Sequence, residues 1–282
     1  MLSLSPKALE DNTVKSGTHP QDDFISWTRP QSEETLRGLV LLVHGLNLKA
    51  SRMQALVRVL VDSGYMVGNM TLSGHRGDKL EASREAWLRD YERASLALKT
   101  LNQEHGGLPT YAVCMSLGAL TLVDFVTEHP QHHPFNKVLM LAPALSLRWY
   151  SHVFRAFCRW LPWFPIPSLS HAKDRVYRSL PLRFYTELYK VHDAIFRKLK
   201  ARPLQLPVTI LMDPRDELVS YAGVERLLQA GRLPLAHLSG HRLPEEARGS
   251  YHLFVCPESM GPEVWQDVTT TLQRFFNEAS TR

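Results

Sequence analysis

Cysteine is scarce: Cys114, Cys158 and Cys256 are the only three in 282 residues. The set is odd in number, sparse and without metal-ligand spacing, so neither a disulfide framework nor a cysteine metal site is expected. A reducing compartment suits it, and the cytoplasm is the expected location. Residues Met1 to Lys15 lack a cationic start followed by an apolar core, which argues against a secretory signal. Nowhere does an apolar run reach the roughly 18 to 20 residues of a membrane span. Internal repeats and low-complexity tracts are missing too, which removes solenoids and disordered arrays from consideration.

What remains is a chain that is 44% apolar and 22% charged, the balance of a soluble globular protein. Its length suits one large α/β domain with an insertion, or two small domains. The net charge of +5 is unevenly placed. Between Ser146 and Lys200 stand eleven Arg and Lys against three Asp and Glu, which leaves the remainder mildly acidic. No nucleic-acid-binding motif accompanies that charge, so a nucleic-acid partner is not expected.

Residues 1–20 are polar, without periodicity, and read as a loose leader. Asp23 to Thr28 is an edge-strand candidate. Gly38 to Val43, Tyr65 to Leu72, Tyr111 to Cys114, Lys137 to Leu141 and Val208 to Met212 are short apolar runs, the mark of strands buried on both faces. Leu235 to Leu238 is a weaker one. Helical spacing runs through Ser51 to Ser63, Arg84 to Glu104, Leu117 to Val126, Tyr221 to Ala230 and Glu263 to Phe276. This alternation predicts an α/β fold: a mostly parallel sheet covered by helices on both faces, with its site at the strands' carboxyl ends.

Ser116 stands between an apolar strand and a helix. A sharp turn there lifts the hydroxyl from the backbone, and the helix N-terminus supplies free N–H groups where an oxyanion would form. Close crossing of strand and helix asks for small residues two positions either side. Gly118 meets that need, while Cys114 replaces the first glycine of a G-x-S-x-G turn. A serine needs a base, and the base needs an orienting carboxylate. After Val208–Met212 the acid candidates are Asp216 and Asp213; toward the C-terminus the base candidates are His252 and His241. Position favours Asp216 and His252. His44 and His75 read as loop braces, and Cys114 as a packed small residue.

With these motifs in place, the chain resembles the α/β-hydrolase superfamily from about Asp22 to Phe276, most of all its monoacylglycerol lipase and small carboxylesterase branch. The resemblance rests on the strand ending in His44-Gly45, the loop Gly74-His75-Arg76-Gly77, the turn around Ser116, and the placing of Asp216 and His252. It implies a serine ester hydrolase with Ser116, Asp216 and His252 as catalytic triad. The backbone N–H groups of Leu46 and Leu117 would form the oxyanion hole. No metal or organic cofactor is implied. It also implies a core over residues 21–145 and 204–282, with a helical cap inserted at 146–203. The partner would be a small acyl ester or lipid-like substrate. Thioesterase, lysophospholipase and aminopeptidase activities share the fold, as do non-catalytic interaction proteins.

Within the cap segment, Trp149, Tyr150, Val153, Phe154, Phe157, Trp160 and Leu161 recur at helical spacing beside Arg148, Arg155 and Arg159. Such a face can close over an acyl chain, pack the cap on the core, or touch anionic lipid headgroups.

Overall fold

The computed structural model describes residues 24–32, 36–77, 79–168, 170–245 and 250–277. The expected leader over 1–20 and the first residue of the edge-strand candidate, Asp23, lie outside the described residues.

Nine strands and eight α-helices are formed among the described residues. In chain order they are β1 (Ile25–Thr28), β2 (Gly38–Val43), α1 (Gln54–Asp62), β3 (Tyr65–Met70), α2 (Arg84–Glu104), β4 (Thr110–Met115), α3 (Leu117–Glu128) and β5 (Lys137–Leu141). There follow α4 (Tyr150–Trp160), β6 (Pro165–Pro167), β7 (Ser179–Pro181), α5 (Arg183–Ala201), β8 (Val208–Met212), α6 (Tyr221–Gln229), β9 (Ala236–Gly240), α7 (Pro257–Met260) and α8 (Pro262–Asn277).

Seven strands make one sheet in the order β1-β3-β2-β4-β5-β8-β9. Only β1 runs antiparallel, against β3. β2, β3 and β4 are buried at every residue, as their unbroken apolar sequences require of strands covered on both faces. The two faces of β4 show the covering. Tyr111 packs edge-on against Phe275 and Phe276 of α8. Three residues on, Cys114 points the other way, to the Tyr91 hydroxyl of α2. Tyr91 in turn stacks on Phe125 of α3. Side-chain alternation along one strand thus divides the helices into two layers.

Most boundaries agree with the expected elements to within a residue or two. The helix expected from Ser51 begins with a 3-10 turn, Ala50–Met53, before α1. The weak strand expected at Leu235 is β9, displaced toward Gly240 at the sheet edge.

The segment between β5 and β8 holds more than helices. β6 and β7 pair as an antiparallel ribbon between α4 and α5. α5 packs along α3, where Lys198 reaches the buried Asp124 at 2.9 Å and Arg84 of α2 donates to the same carboxylate at 2.6 Å. α4 rests on α5 through one narrow face: Phe154 meets the Tyr185 ring, Cys158 is buried, and Tyr189 donates to the Ser151 carbonyl at 2.8 Å. Packing of the aromatic stripe onto the core therefore involves Phe154 only in part, and Trp149, Val153, Phe157 and Trp160 face outward.

Candidate active site

Ser116 is the residue on which β4 ends and α3 begins. Its φ of 49° and ψ of −111° lie outside the regions a side chain adopts freely, at a cost of about 1–3 kcal/mol. Neighbours hold it there. Its N–H donates to the Leu141 carbonyl of β5, and its carbonyl accepts from Leu120 and Ala144. The crossing is tight: a Cβ on Gly118 would come within 2.7 Å of the His44 carbonyl oxygen and 2.9 Å of that of Val43. Glycine is therefore required two positions after the serine. Two positions before it, the Cys114 thiol is buried and its pKa raised by that burial, so it packs rather than ionises.

The Ser116 hydroxyl lies 2.8 Å from His252 Nε2, and His252 Nδ1 lies 2.7 Å from Asp216 Oδ2. A carboxylate at Nδ1 fixes the tautomer: Nδ1 carries the proton and donates to Asp216, leaving Nε2 to accept from Ser116. All three side chains are buried. Burial disfavours the imidazolium, but Asp216, with Glu217 adding to it, outweighs that and raises the His252 pKa above its usual 6.5. The other Asp216 oxygen accepts from the N–H groups of Leu218 at 2.8 Å and Val219 at 2.9 Å. The carboxylate is thus held at both ends.

The competing residues have other partners. Asp213 accepts from the Arg215 side chain and N–H and from the Leu243 N–H, closing the loop after β8. Its burial opposes the charge, and those hydrogen bonds more than offset it, so its pKa is lowered. His241 meets the Ser239 hydroxyl at 3.1 Å, and its pKa is lowered by burial.

The loop after β2 approaches the turn: a Cβ on Gly45, the residue before Leu46, would lie 3.1 Å from the Ser116 Cβ. His44 Nε2 accepts from the Leu72 N–H and its Nδ1 donates to the Gly45 carbonyl; burial lowers its pKa to about 4, so it is a neutral brace. His75, likewise pushed well down by burial, accepts from the Asn47 N–H at 2.9 Å. Asn47, at a φ of 55°, clamps both backbone groups of Tyr177 with its side-chain amide. Leu46 is thereby framed between two fixed residues. Leu117, the first residue of α3, has its N–H among those a helix cannot satisfy internally.

Three supporting residues carried no sequence signal. Glu217 accepts from the Ser250 hydroxyl and from the Tyr251 N–H at 3.0 Å, pinning the loop that carries His252. Ser250 Oγ accepts from the His252 N–H at 3.1 Å. Arg148 donates through Nε and Nη2 to the Asp216 backbone carbonyl. Each partner is a backbone group or a distant loop, which no spacing in the chain announces. Among the described residues, no cluster of His, Cys, Asp or Glu has the geometry of a metal site.

A family profile described as "Serine aminopeptidase, S33" matches residues 34–239. No protein of curated function matches the sequence significantly. Among solved structures, the chain is similar to a soluble variant of monoglyceride lipase from Saccharomyces cerevisiae, at 13% identity and a TM-score of 0.70, covering 92% of this chain and 91% of that one. It is similar to the monoacylglycerol lipase of Paleococcus ferrophilus, at 18% identity and a TM-score of 0.65, covering 90% and 99%. A thermostable carboxyl esterase from Bacillus coagulans matches at 12% identity and a TM-score of 0.65, covering 90% and 93%. At such identities the likeness is one of fold.

Proposed function

The chain belongs to the serine aminopeptidase S33 family of α/β hydrolases, and on that premise we propose that it cleaves carboxylic esters through an acyl-enzyme. The observation that carries this reading is the unbroken pair of short hydrogen bonds from Ser116 through His252 to Asp216. Ser116 Oγ attacks the ester carbonyl carbon while His252 Nε2 takes its proton. Asp216 keeps the ring oriented and stabilises the imidazolium. Negative charge on the carbonyl oxygen falls to the N–H groups of Leu46 and Leu117. His252 then gives its proton to the departing alcohol oxygen. Water, deprotonated by the same nitrogen, releases the acid and restores the serine. No step requires a metal or organic cofactor.

Residues 146–203 form a cap in this reading, fixed to the oxyanion loop through Asn47 and Tyr177 and to the acid loop through Arg148. A small acyl ester, or a monoacylglycerol-like lipid, is the proposed substrate. The lipase and esterase neighbours of the same fold support it.

The family description favours one second reading, hydrolysis of an N-terminal aminoacyl amide by the same serine. A panel of acyl esters, acyl thioesters and aminoacyl amides on the purified chain separates the two. Ester turnover well above amide turnover is expected, and the reverse order would make the protein an aminopeptidase.

A further inference from the structure

From the outward face of α4 we infer a docking surface for anionic lipid. Trp149, Val153, Phe157 and Trp160 follow one another at intervals of four, four and three, which sets them along one side of the helix. That side turns away from the core: Trp149 is 76% exposed, Phe157 56% and Trp160 81%. The patch continues past the helix end into the turn with Trp163 at 65%, where the Arg183 guanidinium lies 5.2 Å from the indole ring. An apolar face of this size on solvent calls for an occupant. Phe154 and Cys158, on the opposite side, hold the helix to α5.

Charge chooses among occupants. Residues 149–173 hold Arg155, Arg159 and Lys173 and not one Asp or Glu. Arg159 stands exposed on the flank of the stripe, and Arg155 is engaged by Asp193 of α5 at 2.9 Å. A second copy docking face to face would set Arg159 against its own like charge, with no Asp or Glu in residues 149–173 to pair it. An anionic lipid surface matches both features. Indole rings settle at the level of the headgroups, phenyl and valyl groups enter the acyl boundary, and guanidinium meets phosphate. The mode is peripheral, since no helix among the described residues is long and apolar enough to cross a membrane. The N-terminus of α4 lies beside the site: Arg148 donates to the Asp216 backbone carbonyl, and Leu147 pairs with Val219. A docked chain would therefore hold its candidate site close to the lipid. The docking itself does not depend on the proposed ester chemistry.

Sedimentation of the full chain with phosphatidylcholine vesicles, with and without phosphatidylserine, over a salt series, tests this. Binding is expected to the anionic vesicles, weakening as salt rises. Arg159→Gln should weaken it roughly fivefold, and Trp160→Ser about tenfold or more. Ser116→Ala should bind like the wild type, which separates docking from catalysis. Trp160→Ser should keep the wild-type melting temperature, showing that it is folded. Equal recovery with neutral and anionic vesicles at low salt would overturn the inference. So would a concentration-dependent dimer that Trp160→Ser abolishes, since the face would then belong to a second copy.

Discussion

Arg148 Nε lies 2.7 Å from the backbone carbonyl oxygen of Asp216, joining the foot of α4 to the acid of the candidate triad. The connection is reinforced nearby. Leu147 pairs with Val219, the Arg148 N–H donates to the Leu218 carbonyl, and the Ser220 N–H donates to that of Ser146. The chain leaving β5 thus builds one wall of the loop that presents the carboxylate.

If this wall sets the place of Asp216, Arg148→Gln should lower kcat about tenfold, the worth of one charge-assisted hydrogen bond, with KM for a short ester little changed. Steady-state kinetics beside a melting curve check it. An unaltered kcat would reduce Arg148 to a surface contact.

The raised pKa of His252 sets the acid side of the pH profile. Only the neutral ring can take the serine proton, so kcat/KM should fall as pH drops through a value above 6.5. Asp216→Asn should move that limb to lower pH as well as slow the reaction, because the main group favouring the imidazolium is gone. A limb at or below the ordinary imidazole value in the wild type would contradict the electrostatic account.

His252→Ala should cost about three or more orders of magnitude in kcat, as removal of one member of a concerted set does, while His241→Ala keeps most of the activity. Asp213→Asn should act on stability instead. Its carboxylate closes the loop after β8 through Arg215 and Leu243, so a loss of about 1–3 kcal/mol is expected in denaturant unfolding. A large kcat loss in His241→Ala would transfer the role of base to that residue.

At Gly118 the test is one of space. A methyl there meets two backbone carbonyl oxygens inside 3.0 Å, and α3 must shift from β4 to relieve it. Gly118→Ala should cost about 1–3 kcal/mol of stability, as overpacking does, and should displace the Ser116 hydroxyl from His252. Urea unfolding together with ester turnover reports both. Full stability and full activity would show that the crossing is looser than its geometry.

The sheet was legible because its strands are buried on both faces and read as unbroken apolar runs, Gly38–Val43 above all. The placing of Ser116 followed from the same signal, since a serine just past such a run must sit at the strand's carboxyl end. Choosing between Asp213 and Asp216, or His241 and His252, depended on position alone. The three-dimensional difference is made by loops, where Arg215 turns one aspartate aside and Glu217 anchors the histidine loop. In α4 the period of the aromatic residues was plain, but not the direction they face. Periodicity shows which residues share a side of a helix; what that side meets depends on where the helix is attached, here by Phe154 and Cys158. The ribbon of β6 and β7, three residues each and with a proline at the end of both, is too short to carry a pattern.

The central claim is that Ser116 is an activated nucleophile. A fluorophosphonate reacts with a serine whose hydroxyl is deprotonated by a neighbouring base and whose developing oxyanion is held, and leaves ordinary serines untouched. Intact mass and peptide mapping of the treated chain should give one adduct, on the peptide containing Ser116. The adduct should be absent from Ser116→Ala and form far more slowly in His252→Ala. A folded wild-type chain that takes no label, or a label that persists in Ser116→Ala, would contradict the account.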